Sequence, residues 1–279
     1  MFSPKWIWNG LLALSIFPLG ADPIFWNGTL YDDETVARLI TVITTTNPIP
    51  SIPSLKHIYF SQKSLFLIPA FALCKKIIVF DGIQPEFEDR KEDYEKYKRK
   101  IAHLTQADPN FSNTELVFCD RWVHLSGAIR EALAHVDTPY IFIHQHDMVL
   151  VKRFDLNRAI ATMDANCNVK HVRLALPYTN LHWLPFDPPA VDQLIVGPCF
   201  VPLCRHFIWS DNDHVATAEY YREFVLPQCG HGPMEEFLNP ALEKAMEEID
   251  TACHPIFGTY LYGTIQDGGY ISHSDGRFE

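Results

Sequence analysis

Pro139-Tyr-Ile-Phe-Ile-His-Gln-His-Asp147 decides how this chain reads. Tyr140 to Ile143 is a short run of aromatic and β-branched residues behind a proline, the pattern of a buried strand. The strand runs into His144-Gln145-His146-Asp147, side chains able to bind a metal, and a second apolar run, Met148-Val-Leu-Val151, follows at once. Open α/β sheets bind ligands beyond the carboxyl ends of their strands. Hard cations that carry phosphates prefer carboxylate oxygens. Asp147 is therefore a candidate to hold a divalent ion and, through it, a diphosphate.

Outward from that strand, strands and helices alternate. Arg38 to Thr45 is β-branched enough to be a strand, and Asn47-Pro-Ile-Pro50 stops it. A helical pattern starts at Ser54, next to a proline suited to a first turn. Lys76 to Phe80 is a second buried strand, ending in Asp81-Gly82. Glu88 to Leu104 reads as a charged helix with Glu92–Lys96 and Glu95–Arg99 pairs at i,i+4 spacing. Glu115 to Cys119 is a third strand, and His124 to Val136 an amphipathic helix. Strands alternating with helices predict an α/β fold with a mostly parallel central sheet.

Strand, Asp81-Gly82, a helix carrying Gly127-Ala-Ile-Arg130, then Thr138-Pro-Tyr-Ile-Phe-Ile143 before an acid resembles a family 2-type glycosyltransferase of the GT-A fold, an α/β/α sandwich of the nucleotide-diphospho-sugar transferase type. The resemblance covers residues 38–185 best. It implies a sugar moved from a nucleotide-diphospho-sugar donor to a glycan or other hydroxyl acceptor, with inversion. It implies donor binding by Thr45, Asp81, Gly82, Gly127, Arg130, His146 and Asp147, with Asp81 contacting the nucleobase. Asp147 stands as the second acid of the family's Asp-x-Asp metal motif, with Gln145 where the first is usual. The implied metal is Mn²⁺ or Mg²⁺, with His273 of His273-Ser-Asp275 as a late second ligand.

Gly232-Pro-Met-Glu-Glu236-Phe-Leu238 opens a helix and resembles the family's general-base motif, so Glu236, with Glu235 in reserve, is the expected catalytic base. Trp209-Ser-Asp-Asn-Asp213-His214 is a polar turn with an aromatic, from which Trp209, Asp211 and Asp213 are expected to touch the acceptor. Each has a structural reading beside the functional one. Asp81-Gly82 is ordinary turn chemistry after a strand. Glu235 and Glu236 suit a helix N-terminus through the macrodipole. Trp209 and Trp183 are large enough to be core, and His144 is better read as a packed, hydrogen-bonded histidine than as a ligand.

At 279 residues, 47% hydrophobic, the chain can bury a sizeable core. The expected organisation is an N-terminal segment, 1–35, and one domain, 36–279. That domain divides at Leu184-Pro-Phe-Asp-Pro-Pro-Ala190 into donor-binding (36–184) and acceptor-binding (185–279) halves. A net charge of −11 argues against a nucleic-acid partner. Trp6 to Leu19 is apolar behind Lys5 but short for a membrane span. With Gly20-Ala21 it reads equally as a signal peptide or as a buried segment, so membrane association and location, secretory or cytoplasmic, stay open. The 7 cysteines include no Cys-x-x-Cys pair, and no disulfide framework is expected. Two other readings compete. A sugar-nucleotide pyrophosphorylase would carry a Gly-rich basic loop where Thr44 to Pro50 stands, and a non-catalytic carbohydrate-binding protein of the same fold accommodates Gln145.

Overall fold

The computed structural model describes residues 22–177, 191–196, 199–263 and 267–274. The hairpin β1 (Ile24–Trp26) and β2 (Thr29–Tyr31) leads to α1 (Asp33–Leu39) and β3 (Ile40–Thr46). Then come α2 (Lys56–Ser64), α3 (Pro69–Leu73), β4 (Lys75–Phe80), α4 (Lys91–Ala107) and β5 (Thr114–Phe118). Next are α5 (His124–Leu133), β6 (Tyr140–Gln145), β7 (Met148–Leu150), α6 (Leu156–Ala165) and β8 (His171–Leu174). The last described elements are β9 (Val191–Val196), β10 (Cys199–Arg205), β11 (His214–Thr217), α7 (Ala218–Tyr220), α8 (Leu226–Gln228), α9 (Glu235–Ile249), α10 (His254–Phe257), β12 (Thr259–Tyr262) and β13 (Ile271–His273).

Nine strands form one sheet in the order β5-β4-β3-β6-β11-β8-β12-β10-β9. β5, β4, β3 and β6 are all parallel, as are β8 and β12. The remaining contacts, β6–β11, β11–β8, β12–β10 and β10–β9, are antiparallel. The expected α/β sandwich with a parallel block is present. β11 comes from the expected acceptor half, yet it lies between β6 and β8 of the donor half. The residues 178–190 that contain the expected boundary, and Trp183, lie outside the described residues, as do 1–21 and Asp275.

Side chains alternate across a strand, so each strand feeds two cores. Val42 and Phe142 face one layer with Phe71 of α3 and Ala159 and Ile160 of α6. Ile43, Ile77, Ile141 and Ile143 face the other, against Ala128, Ile129 and Ala132 of α5 and Leu238 of α9. A satellite core packs Ile78 and Phe80 on Tyr94, Tyr97 and Ile101 of α4. Cys74 and Cys119 are buried within these layers, the role of small apolar residues.

Two local expectations are corrected. Arg38 and Leu39 belong to α1, because Asp32 caps that helix by accepting from the Thr35 N–H at 2.7 Å. On α4, among the described residues, lysines reach back one turn at i,i+3 instead of forming the i,i+4 pairs. Lys96 meets Asp93 at 3.4 Å and Lys98 meets Glu95 at 2.8 Å. Both spacings bring side chains together on a helix, and exposed pairs of either kind contribute little. No helix of the described residues is long and apolar enough to cross a membrane.

Candidate active site

The parallel register sets the carboxyl ends of three strands level. Thr46 of β3 faces Phe80 of β4, and Thr45 faces Gln145 of β6. The chain leaves those ends through Asn47, Asp81 and His146. Backbone bonds fix the exits: Asp81 N–H donates to the Thr46 carbonyl at 2.9 Å and His146 N–H to the Thr45 carbonyl at 3.1 Å. Between them lies a cavity of about 280 Å³ whose walls include Thr45, Asn47, Asp81, Gln145, His146 and Asp147. Thr45, Asp81, His146 and Asp147, four of the expected donor-binding residues, thus meet on one cleft. The sequence reading missed Trp122, His124 and Gln84, which complete its walls. Trp122 stands just before α5 and His124 opens it, with no motif to mark either as a cleft residue. The positive φ of 63° at His124, uncommon for a non-glycine residue, has no sequence signal.

Asp81 shapes the cleft. Its Oδ1 accepts from Gly82 N–H at 2.7 Å and Val123 N–H at 2.8 Å, tying the β4 exit to the start of α5. Burial pushes its pKa up, against the pull of those two bonds. Gly82 has to be glycine for packing: a Cβ there would fall 2.1 Å from the Arg121 carbonyl carbon. Burial and nearby His231 push the His124 pKa down, opposed by Asp81 and Glu236.

The late strand reaches Asp147. β13 pairs antiparallel with β7, with His273 opposite Met148. Ser274 N–H then donates to the Asp147 carbonyl at 2.7 Å. His273 Nδ1 consequently lies 3.9 Å from Asp147 Oδ2. Two ligands of one cation at ~2.1 Å are roughly 3 to 4 Å apart, so one carboxylate and one imidazole stand at a usable separation. Among the described residues, no cluster of three or more His, Cys, Asp or Glu surrounds a single point.

His144 turns away from the cleft. Its Nε2 lies 2.7 Å from Ser61 Oγ and its Nδ1 2.6 Å from Asp213 Oδ2, all three side chains being fully buried. Asp213 Oδ1 also accepts from Gln145 N–H at 3.1 Å. The network braces the strand end that presents Asp147, and it matches the reading of His144 as a hydrogen-bonded histidine.

Four expected site residues lie elsewhere. Trp209 is completely buried, its indole N–H donating to Tyr220 Oη at 3.2 Å, and Asp213 is locked in the His144 network. Neither has a surface for an acceptor. Gly127 and Arg130 line a separate cavity that shares only Trp122 with the cleft's lining. Periodicity alone did not show which face of α5 meets the cleft.

Asp211 and the two glutamates stand beyond Gln145, whose side-chain amide donates to the Asp211 carbonyl at 3.1 Å. Glu235 Oε1 accepts from Ser210 Oγ at 2.7 Å and Asp211 N–H at 2.9 Å. Burial and the Glu235 carboxylate hold the Asp211 carboxyl well above the usual carboxylate range. Glu236 is exposed, and among the described residues no hydrogen bond or ion pair holds its carboxylate. Neither glutamate is among the residues lining the Asp147 cleft.

No family model and no curated protein matches the chain. Solved structures of similar fold include the mannosyltransferase PcManGT from Pyrobaculum calidifontis, in complex with GDP-Man and Mn²⁺. It is 14% identical with a TM-score of 0.45, over 75% of this chain and 52% of that one. TarS 1–349 from S. aureus, in complex with UDP, is 12% identical with a TM-score of 0.45, over 83% and 59%. A UDP-glucose pyrophosphorylase complexed with UDP-glucose is 9% identical with a TM-score of 0.40, over 74% and 88%. This chain therefore spans little more than half the length of the first two. The likeness is one of overall fold, and the chemistry has to be argued from the site.

Proposed function

We propose that this chain is a glycosyltransferase that moves a sugar from a nucleotide-diphosphate donor to a hydroxyl acceptor. The observation that supports it is the convergence of Thr45, Asp81, His146 and Asp147 on one cleft at the carboxyl ends of parallel strands. In this reading Asp81, Asn47 and Gln84 bind the nucleoside end of the donor. Asp147 and His273 hold a divalent cation, Mn²⁺ or Mg²⁺, which when bound would neutralise the charge of the departing diphosphate. An imidazole in the ligand pair suits Mn²⁺ better than Mg²⁺.

Sugar transfer also needs a base for the acceptor hydroxyl. The two glutamates divide the roles. Glu235 is committed to Ser210 and Asp211 and positions that turn. Glu236, exposed and unengaged, deprotonates the hydroxyl as it attacks the anomeric carbon on the face opposite the leaving diphosphate. Such in-line attack inverts that centre.

The test is release of nucleoside diphosphate from a panel of nucleotide-sugars, with and without Mn²⁺ and a mixed glycan acceptor. Acceptor-stimulated release of the diphosphate supports transfer. Nucleoside triphosphate formed only with added pyrophosphate indicates a pyrophosphorylase. Donor binding with neither product indicates a carbohydrate-binding protein.

A further inference from the structure

A second cavity, about 620 Å³, shares Trp122 as a wall with the Asp147 cleft. Arg121, Arg130, Gly230 and His231 line it, with Glu131 as its one acidic wall residue. For a chain of net charge −11 this is a local excess of positive charge. Neither arginine is neutralised: among the described residues Arg121 and Arg130 are in no ion pair. Arg130 donates one N–H to the Leu226 carbonyl at 3.0 Å, which fixes its direction and leaves its other donors. His231 donates from Nε2 to the Trp122 carbonyl at 3.3 Å, and its ring stands edge-on to the indole at 4.6 Å.

The cavity also adjoins the segment that leads to the two glutamates. Ser126 Oγ donates to the Gly230 carbonyl at 2.7 Å and holds the 229–232 loop against α5. That loop runs directly into Glu235 and Glu236. Guanidinium forks match planar or tetrahedral oxyanions.

We infer that this cavity binds an anionic group, phosphate or carboxylate, carried by the sugar acceptor. The inference rests on the glycosyltransferase reading for the word acceptor; the anion site itself rests on Arg121, Arg130 and His231. Titration calorimetry of the full chain with glucose 6-phosphate, glucuronate and glucose tests it, beside UDP and GDP as donor-site probes. Binding of glucose 6-phosphate alone assigns the group as phosphate, binding of glucuronate alone as carboxylate, and binding of both as either. Arg130→Gln is expected to weaken that binding about tenfold or more, the scale of one charged hydrogen bond. Arg121→Gln, which removes no internal hydrogen bond, is expected to do the same and guards against a folding defect. Equal binding of glucose, no binding of either anion, or unchanged affinity in both variants overturns the site. So does loss of UDP or GDP binding in both variants without loss of anion binding. If neither nucleotide binds the wild type while anions bind through the arginines, the donor reading fails and the anion site stands.

Discussion

His273 and Asp147 meet although they lie in distant parts of the chain, because β13 folds back on β7 and sets His273 Nδ1 3.9 Å from Asp147 Oδ2. The acid arrives from the end of a central parallel strand and the imidazole from the last described strand. The pair therefore forms only when β13 has docked on β7.

Asp147→Asn removes the charged oxygen and leaves the shape. It is expected to abolish Mn²⁺ binding in the presence of a nucleoside diphosphate and to cut transfer by orders of magnitude, with the melting temperature near wild type. His273→Ala, keeping the carboxylate, is expected to weaken Mn²⁺ by about 10- to 100-fold. Mn²⁺ paramagnetic resonance measures both, and wild-type affinity in Asp147→Asn rejects the assignment.

Gly82→Ala is expected to destabilise the fold and weaken nucleotide binding together. A Cβ would lie 2.1 Å from the Arg121 carbonyl carbon, so the loop leading to Trp122 and His124 must move. Overpacking of this kind typically costs ~1–3 kcal/mol, readable in urea unfolding. Asp81→Ala also frees the Val123 and Gly82 N–H groups, so it too is expected to raise the donor dissociation constant more than it lowers kcat. An effect on kcat alone counts against both.

The parallel block was legible because its strands are uninterrupted β-branched and aromatic runs, such as Ile40–Thr46 and Tyr140–Ile143, each ending in polar residues. The cleft residues at those ends, Thr45, Asp81 and Asp147, could be named for the same reason. What the sequence hid is set by long-range packing. Trp209 and Asp213 sit in a polar-looking turn, yet burial around His144 and Tyr220 takes both out of reach. Trp122 and His124 carry no periodic signal, since their positions depend on Asp81 capping the Val123 N–H from another element.

Acid is expected to unfold the protein early. Burial pushes His206 down to about 4 and His214 down to about 3, and His171 is lowered by the same cause. These rings stay neutral in the fold but take protons near pH 6.5 in the unfolded chain. Their contribution is therefore fully present above pH 6.5 and is lost as pH falls toward 4, by about 1.4 kcal/mol per pH unit for each unmatched proton. Asp81 and Asp211, raised in the fold, act in the opposite sense. Urea midpoints at pH 7.5, 6 and 5 are expected to fall in that order, with a shallower fall in His206→Gln. A flat profile would show that the histidines are reached by water.

The two glutamates give the sharpest test of catalysis. They are neighbours at the start of α9, so both suit the positive end of the helix dipole, and that shared role predicts equal, small effects. Their surroundings differ. Glu235 accepts from Ser210 Oγ and Asp211 N–H, and it adds to burial in raising the Asp211 pKa. Glu235→Gln keeps one acceptor oxygen, so it is expected to lower stability by about 1 kcal/mol and to lower the Asp211 pKa only in part, because burial still holds it up. Transfer should drop only a few-fold. Glu236→Gln disturbs no hydrogen bond and should leave the unfolding midpoint and donor binding unchanged. If Glu236 is the base, kcat should fall about 10²- to 10⁴-fold, and the limb of the pH–rate profile that reports a carboxylate should disappear. Equal and small losses in the two variants leave the glutamates only their helix-capping role. Collapse in Glu235→Gln alone moves the base to the Glu235–Asp211 pair.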